Sequence, residues 1–142
     1  MSRLTRADRE LIEAATEVAR ARYRPGWHEI AAAVRTAGGR VVTGVNLDGY
    51  YSICAEAAAI ARAVAEGEEE LAAIVAVRYE PDLDRARVVS PCGRCRDLIS
   101  EFGDVAVLYP ENDGVRKAPI AKLLPSRFEP RRSRRRKGRR EQ

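Results

Sequence analysis

Cys54-Ala55-Glu56 and Pro91-Cys92-Gly93-Arg94-Cys95 decide the reading of this chain, because they hold all three of its cysteines and each run stands where a helix begins. Three thiols gathered from two separate runs form a metal site short of one ligand. Zinc favours four tetrahedral ligands of nitrogen and sulfur, and three from the protein leave a position for water, as in a catalytic site. Glu56, two residues past the first thiol, is placed to carry protons for that water. Both runs can meet at one ion only if two helices aim their N-termini at the same point. That geometry helps the chemistry, since helix N-termini carry partial positive charge and lower thiol pKa values.

Working outward, residues 54–66 (CAEAAAIARAVAE) read as an alanine-rich and almost wholly apolar helix, hence a buried one, with Gly67 as its C-terminal stop. Residues 71–78 (LAAIVAVR) are a continuous apolar run of strand length, expected to lie centrally with both faces covered. Residues 81–85 form a loop, 86–89 a short strand, and the second cysteine run opens a helix through Phe102 that Gly103 ends. Residues 105–109 read as a strand, Asn112-Asp113-Gly114 as a turn, and 118–124 as a last short helix. On the N-terminal side, residues 5–22 place Leu11, Ile12, Ala15, Val18 and Ala19 on one stripe of a charged helix, with Thr5 and Asp8 as its cap. Residues 29–36 and 40–47 form a hairpin about Ala37-Gly38-Gly39. The order α-β-β-α-β-β-α-β-α predicts a three-layer α/β domain: a mixed sheet of about five strands with helices on both faces.

The 142-residue chain suits one domain, and its net charge of +5 is unevenly placed. Residues 129–142 carry eight Lys/Arg and two Glu, so residues 1–128, with 18 basic and 19 acidic groups, are nearly neutral. The expected division is a catalytic body over 1–128 and a basic, disordered tail over 129–142. The tail can meet polyanions such as RNA or DNA through charge alone, and it has no aromatic residue for stacking on bases. No apolar run reaches the roughly 18 residues of a membrane span, and the N-terminus lacks the apolar core of a secretory signal. Together with an odd number of cysteines, this leads us to expect a cytoplasmic location.

The C-A-E and S-P-C-G-R-C-R runs resemble the zinc-dependent cytidine deaminase superfamily, whose signature is well defined. The resemblance extends through Thr43-Gly44-Val45-Asn46 and Leu123-Leu124-Pro125-Ser126, and covers most of residues 8–128. The three-cysteine set is most similar to the free-nucleoside branch, the small cytidine and blasticidin-S deaminases. It implies that Cys54, Cys92 and Cys95 hold Zn²⁺ and that Glu56 shuttles protons. It further implies that the Ala55 backbone and the Ser90 carbonyl meet the base edge, and that Asn46 and Asp48 meet the sugar. His28 falls where members stack an aromatic on the base, Tyr51 is a pocket-wall candidate, and Phe128 falls where members cover a neighbouring subunit's pocket. A homo-oligomer, tetramer or dimer, is implied as well. Two positions depart from the family pattern: Asp48 stands for a longer Glu, and Ala57 for an Arg that would balance thiolate charge.

The expected activity is hydrolytic deamination of a cytosine-type ring in a free nucleoside or nucleoside-like compound. Three other readings fit parts of the same sequence. The cysteines with His28, the sole histidine, would make a closed structural Cys₃His site. The basic tail suits a zinc-stabilised nucleic-acid-binding module. A deaminase acting within a polynucleotide would combine tail and site.

Overall fold

A computed structural model describes residues 3–129 of the chain. The basic segment from 130 onward lies outside the described residues. Helix α1 (Arg6–Arg22) is followed by strands β1 (Ile30–Thr36) and β2 (Val41–Val45), helix α2 (Ala55–Ala65) and strand β3 (Leu71–Glu80). After a 3₁₀ turn at Pro81–Leu83 come β4 (Arg85–Val89), α3 (Gly93–Ser100), β5 (Ala106–Glu111), β6 (Gly114–Pro119) and the single-turn α4 (Ile120–Leu123).

The sheet has six strands where about five were expected, and β6 is the addition. Its Val115-Arg116-Lys117 sequence carries too little apolar alternation to announce a strand, yet it pairs with β5 from Gly114 opposite Glu111 to Pro119 opposite Ala106. The strand order is β2-β1-β3-β5-β6, with β4 also on β3. Only the β3–β5 pair is parallel. β3 is long enough to serve two partners on one edge. Its start pairs with β5 at Ala73 and Ile74, and its far half with β4 from Ala76 to Glu80.

Period-two alternation sorts the strands onto two cores. Ala31, Ala33, Ala73, Val75 and Val77 face α1, where Leu11, Ala15 and Ala19 meet them. Val34, Val42 and Ile74 face the other way, against Ile60 and Ala63 of α2 and Cys95 and Ile99 of α3. Between α2 and the sheet lies a layer of small side chains: Ala32, Ala55, Ala59 and Ala76. A Cβ on Gly44 of β2 would sit 2.4 Å from the Ala59 backbone nitrogen, so helix and strand touch backbone to backbone there. The alanine-rich sequence is what lets α2 lie so close to the sheet.

The start of α1 is fixed by a capping box. The Asp8 amide donates to the Thr5 hydroxyl at 3.1 Å, and the Thr5 amide donates to the Asp8 carboxylate at 2.9 Å. Asp8 is fully buried and also pairs with Lys117 of β6 at 3.1 Å and Arg35 of β1 at 3.5 Å. Burial pushes its carboxyl pKa up, but the Thr5 amide, Lys117 and the Thr5 hydroxyl outweigh this and hold it below its ordinary value. One carboxylate thus ties the first helix to two strands. Among the described residues, no helix is long and apolar enough to cross a membrane.

Candidate metal centre and active site

The two cysteine runs meet because α2 and α3 both begin at the same edge of the structure. Cys54 is the N-cap of α2 and Cys92 the N-cap of α3, each in extended conformation, and Cys95 lies in the first turn of α3. The Cys54 and Cys92 sulfurs are 3.6 Å apart, and all three sulfurs lie within 4.8 Å of one another. Zinc–thiolate bonds of about 2.3 Å in a tetrahedron separate their sulfurs by ~3.8 Å, so this spacing fits the ion.

The acidity of the three thiols points the same way. Burial pushes Cys95 strongly up, helped by the charges of Glu56 and the other two sulfurs. Burial and its contact with Cys92 raise Cys54. Burial also opposes ionisation of Cys92, but the Cys95 and Arg94 amides and the neighbouring thiols outweigh it, and its pKa falls. Cys92 is thus the readiest of the three to ionise, and Cys54 and Cys95 resist it. A divalent cation at their centre removes that conflict. His28 takes no part in the cluster. Its Nδ1 lies 2.8 Å from the Asn46 carbonyl oxygen, which leaves the closed Cys₃His reading without its fourth ligand.

Glu56 sits in the first turn of α2, only 6% exposed. Burial raises its pKa, against the lowering pull of its own amide and the Cys95 thiol. It lines a cavity of about 190 Å³ together with Cys54, Ala55, Cys92, Ser90 and Val89. Ile30, Ile53, Ser52, Asn46 and Asp48 complete the wall. The walled part of the cavity, below the roughly 300–1,000 Å³ typical of sites for drug-sized ligands, has room for about a single ring, and its mouth is open to solvent.

Of the residues singled out in the sequence, Cys54, Cys92, Glu56, Ala55, Ser90, Asn46 and Asp48 come together at this cavity, with Cys95 behind them. Asn46 is spoken for within the protein. Its Oδ1 accepts from the Glu29 and Ile30 amides, and its Nδ2 donates to the Trp27 carbonyl and to Asp48. Asp48 beside it is exposed. His28, Tyr51 and Phe128 do not line the cavity. Tyr51 stacks edge-on with Tyr50 in an exposed loop, and Phe128 is 83% exposed. The apolar walls Ile30, Ile53 and Val89 were not singled out in the sequence. Their signal is position, since Ile30 begins β1, Ile53 precedes Cys54, and Val89 ends the strand before Ser90.

Three thiols at metal-ligand spacing, aimed by two helix N-termini beside a buried carboxylate, make this the site of a zinc-dependent hydrolase. The family model of the cytidine and deoxycytidylate deaminase zinc-binding region matches residues 5–111, and the chain belongs to that family. It is 40% identical to the blasticidin-S deaminase of Bacillus cereus over 132 residues, which span 88% of this chain and 94% of that one. It is 32% identical to the cytidine deaminase of Mycobacterium tuberculosis H37Rv over 118 residues, 80% of this chain and 84% of that one. Among solved structures, the cytidine deaminase of Burkholderia pseudomallei superposes with a TM-score of 0.71 at 30% identity, covering 88% of this chain and all of that one.

Proposed function

We propose that this enzyme deaminates a cytosine-type ring carried by a free nucleoside or nucleoside-like compound, of the cytidine or blasticidin-S kind, releasing ammonia and the uracil-type product. The observation that carries this is the ring-sized cavity walled by Ile30, Ile53 and Val89, with Glu56, Cys54 and Cys92 in its lining. Cys54, Cys92 and Cys95 hold zinc, which when bound supplies the Lewis acidity that makes water a nucleophile near neutral pH. Glu56 accepts a proton from the attacking water and returns it to the departing amine as the ring carbon–nitrogen bond breaks. Its burial keeps the carboxyl easily protonated between these two duties. The Ser90 carbonyl and the Ala55 main chain orient the base edge.

Ala57 cannot balance thiolate charge. Arg94 is exposed, its guanidinium makes no hydrogen bond or ion pair with the described residues, and it lines a cleft with Cys54, Ala57 and Cys95, so it supplies the compensating cation. Asn46, saturated by Trp27, Glu29 and Ile30 and by Asp48, holds Asp48 in place, and Asp48 offers the carboxylate for the sugar or its equivalent.

The test is ammonia release from cytidine, deoxycytidine, cytosine, blasticidin S and aminopurines by zinc-loaded protein. Turnover confined to the cytosine-ring compounds is expected, and Glu56→Ala should retain zinc while losing about 10³-fold or more in kcat. A Glu56→Ala variant as active as the parent sinks the mechanism. Residues 1–128 form the catalytic body, so deleting 129–142 should leave small-substrate turnover unchanged; loss of it would favour a nucleic-acid role for the tail. The exposed aromatics Tyr50, Tyr51 and Phe128 support a homo-oligomer, which sedimentation of the full chain would reveal or exclude.

A further inference from the structure

Arg96 stands in the second turn of the metal-bearing helix α3, half-buried, and has no carboxylate partner among the described residues. Its guanidinium instead donates to three neutral acceptors on separate pieces of chain. Nε donates to the Pro91 carbonyl at 2.9 Å, Nη2 to the Ser90 hydroxyl at 2.8 Å, and Nη1 to the Leu123 carbonyl at 3.0 Å. Ser90 and Cys92 line the cavity, Pro91 between them is buried, and Leu123 ends α4. An ion pair would hold one group. This fork fixes both residues of the turn that precedes Cys92 and docks them on the last helix of the body.

We propose that Arg96 is a positioning residue for the deamination reaction: it locks the Ser90-Pro91 turn so that the Ser90 main chain faces the substrate. With its hydroxyl held by Arg96, Ser90 has its carbonyl left as the acceptor at the cavity, beyond the last β4 pairing at Val89. The role needs a planar group with several fixed donors. A lysine ammonium, a point charge on a flexible stem, can satisfy one or two of the three acceptors but not hold all three in one plane. The inference rests on the substrate reading above, because it assigns Ser90 the task of meeting the base.

The experiment compares wild type, Arg96→Lys and Arg96→Ala as full-length, zinc-loaded proteins, with zinc content and melting temperature measured on the same samples. Arg96→Lys is expected to keep its zinc and fold, and to raise KM for the preferred substrate about tenfold with kcat within about threefold, the pattern of lost uniform binding. Added guanidinium should restore part of the activity of Arg96→Ala but none to Arg96→Lys. A Lys variant with wild-type KM, or losses that track zinc content alone, would overturn the proposal. Amide exchange at Ser90 and Cys92 gives a readout that needs no substrate: about tenfold faster exchange in Arg96→Lys supports the lock, and unchanged exchange refutes it. If wild type turns over none of the substrates, the functional reading fails by that result, and exchange alone decides whether Arg96 holds the turn.

Discussion

Two kinds of helix start occur in this molecule. At α1 the Thr5 hydroxyl and the Asp8 carboxylate cap the backbone amides in a closed reciprocal box. At α2 and α3 the equivalent positions are Cys54 and Cys92, in the same extended conformation, and neither offers an oxygen cap; at α3 the Arg94 and Cys95 amides turn to the Cys92 sulfur. The difference separates folding from function. Amides satisfied by oxygen at α1 fix the helix to the sheet, whereas the partial positive charge at α2 and α3 is left to act on sulfur and on whatever the sulfurs hold. A good side-chain cap is worth about 1 kcal/mol, and the catalytic helices forgo it.

Cys54→Ser breaks this contrast most strongly. A serine at that extended position is a good N-cap, so the metal-free variant should unfold at a higher temperature than metal-free wild type, by about 1 kcal/mol of stability. The same change should weaken zinc binding by about 100-fold or more, since a hydroxyl replaces a thiolate ligand. Thermal melts with and without chelator, and zinc competition, measure both halves; a metal-free variant that melts lower than wild type would remove the basis of the comparison.

Asp8→Asn tests the folding side. It leaves Lys117 and Arg35 facing a neutral amide in a largely buried place, and should cost about 2 kcal/mol near neutral pH. Because the folded protein holds the Asp8 carboxyl below its ordinary value, the ionised group's contribution is fully present above the unfolded pKa of about 3.9 and is lost as pH falls through the lower folded value. Denaturant titrations of both proteins should therefore begin to approach each other below about pH 4 and converge only once the pH is below the folded value; a gap that persists there would assign the effect to shape and not to charge. Thr5→Ala, which removes only the hydroxyl half of the box, should cost about 1 kcal/mol and leave zinc affinity unchanged.

Much of this site was legible because its chemistry is written in rare residues. Three cysteines and one well-placed glutamate leave few arrangements, and both helix starts follow from them. The hairpin of β1 and β2 and the long apolar β3 were equally plain from pattern, whereas α2, read as buried, buries only its face of Ala55, Glu56, Ala59, Ile60 and Ala63 and leaves Arg62 and Val64 exposed. Strand β6 was not, because it is an edge strand whose Arg116 and Lys117 serve ion pairs, so its composition says little about a core. A clue lay in Asn112-Asp113. Both adopt positive φ, 48° and 64°, as the central pair of a tight hairpin turn requires, and such a turn calls for a strand on each side. The last helix shrank for the same reason: Ala118 and Pro119 belong to β6, leaving Ile120–Leu123. The saturation of Asn46 and the fork of Arg96 were out of reach, since each depends on backbone groups brought together from distant segments.

The backbone contact between Gly44 and Ala59 also constrains how such an enzyme can change. With no free space between strand and helix, even a methyl group there would lever α2 outward and carry Cys54 and Glu56 away from Cys92. New substrate preference therefore has little freedom to arise along that seam. The permissive territory is the neighbouring stretch from Leu47 to Ile53, where most side chains already project into solvent and the chain can be rewritten without moving the reactive groups.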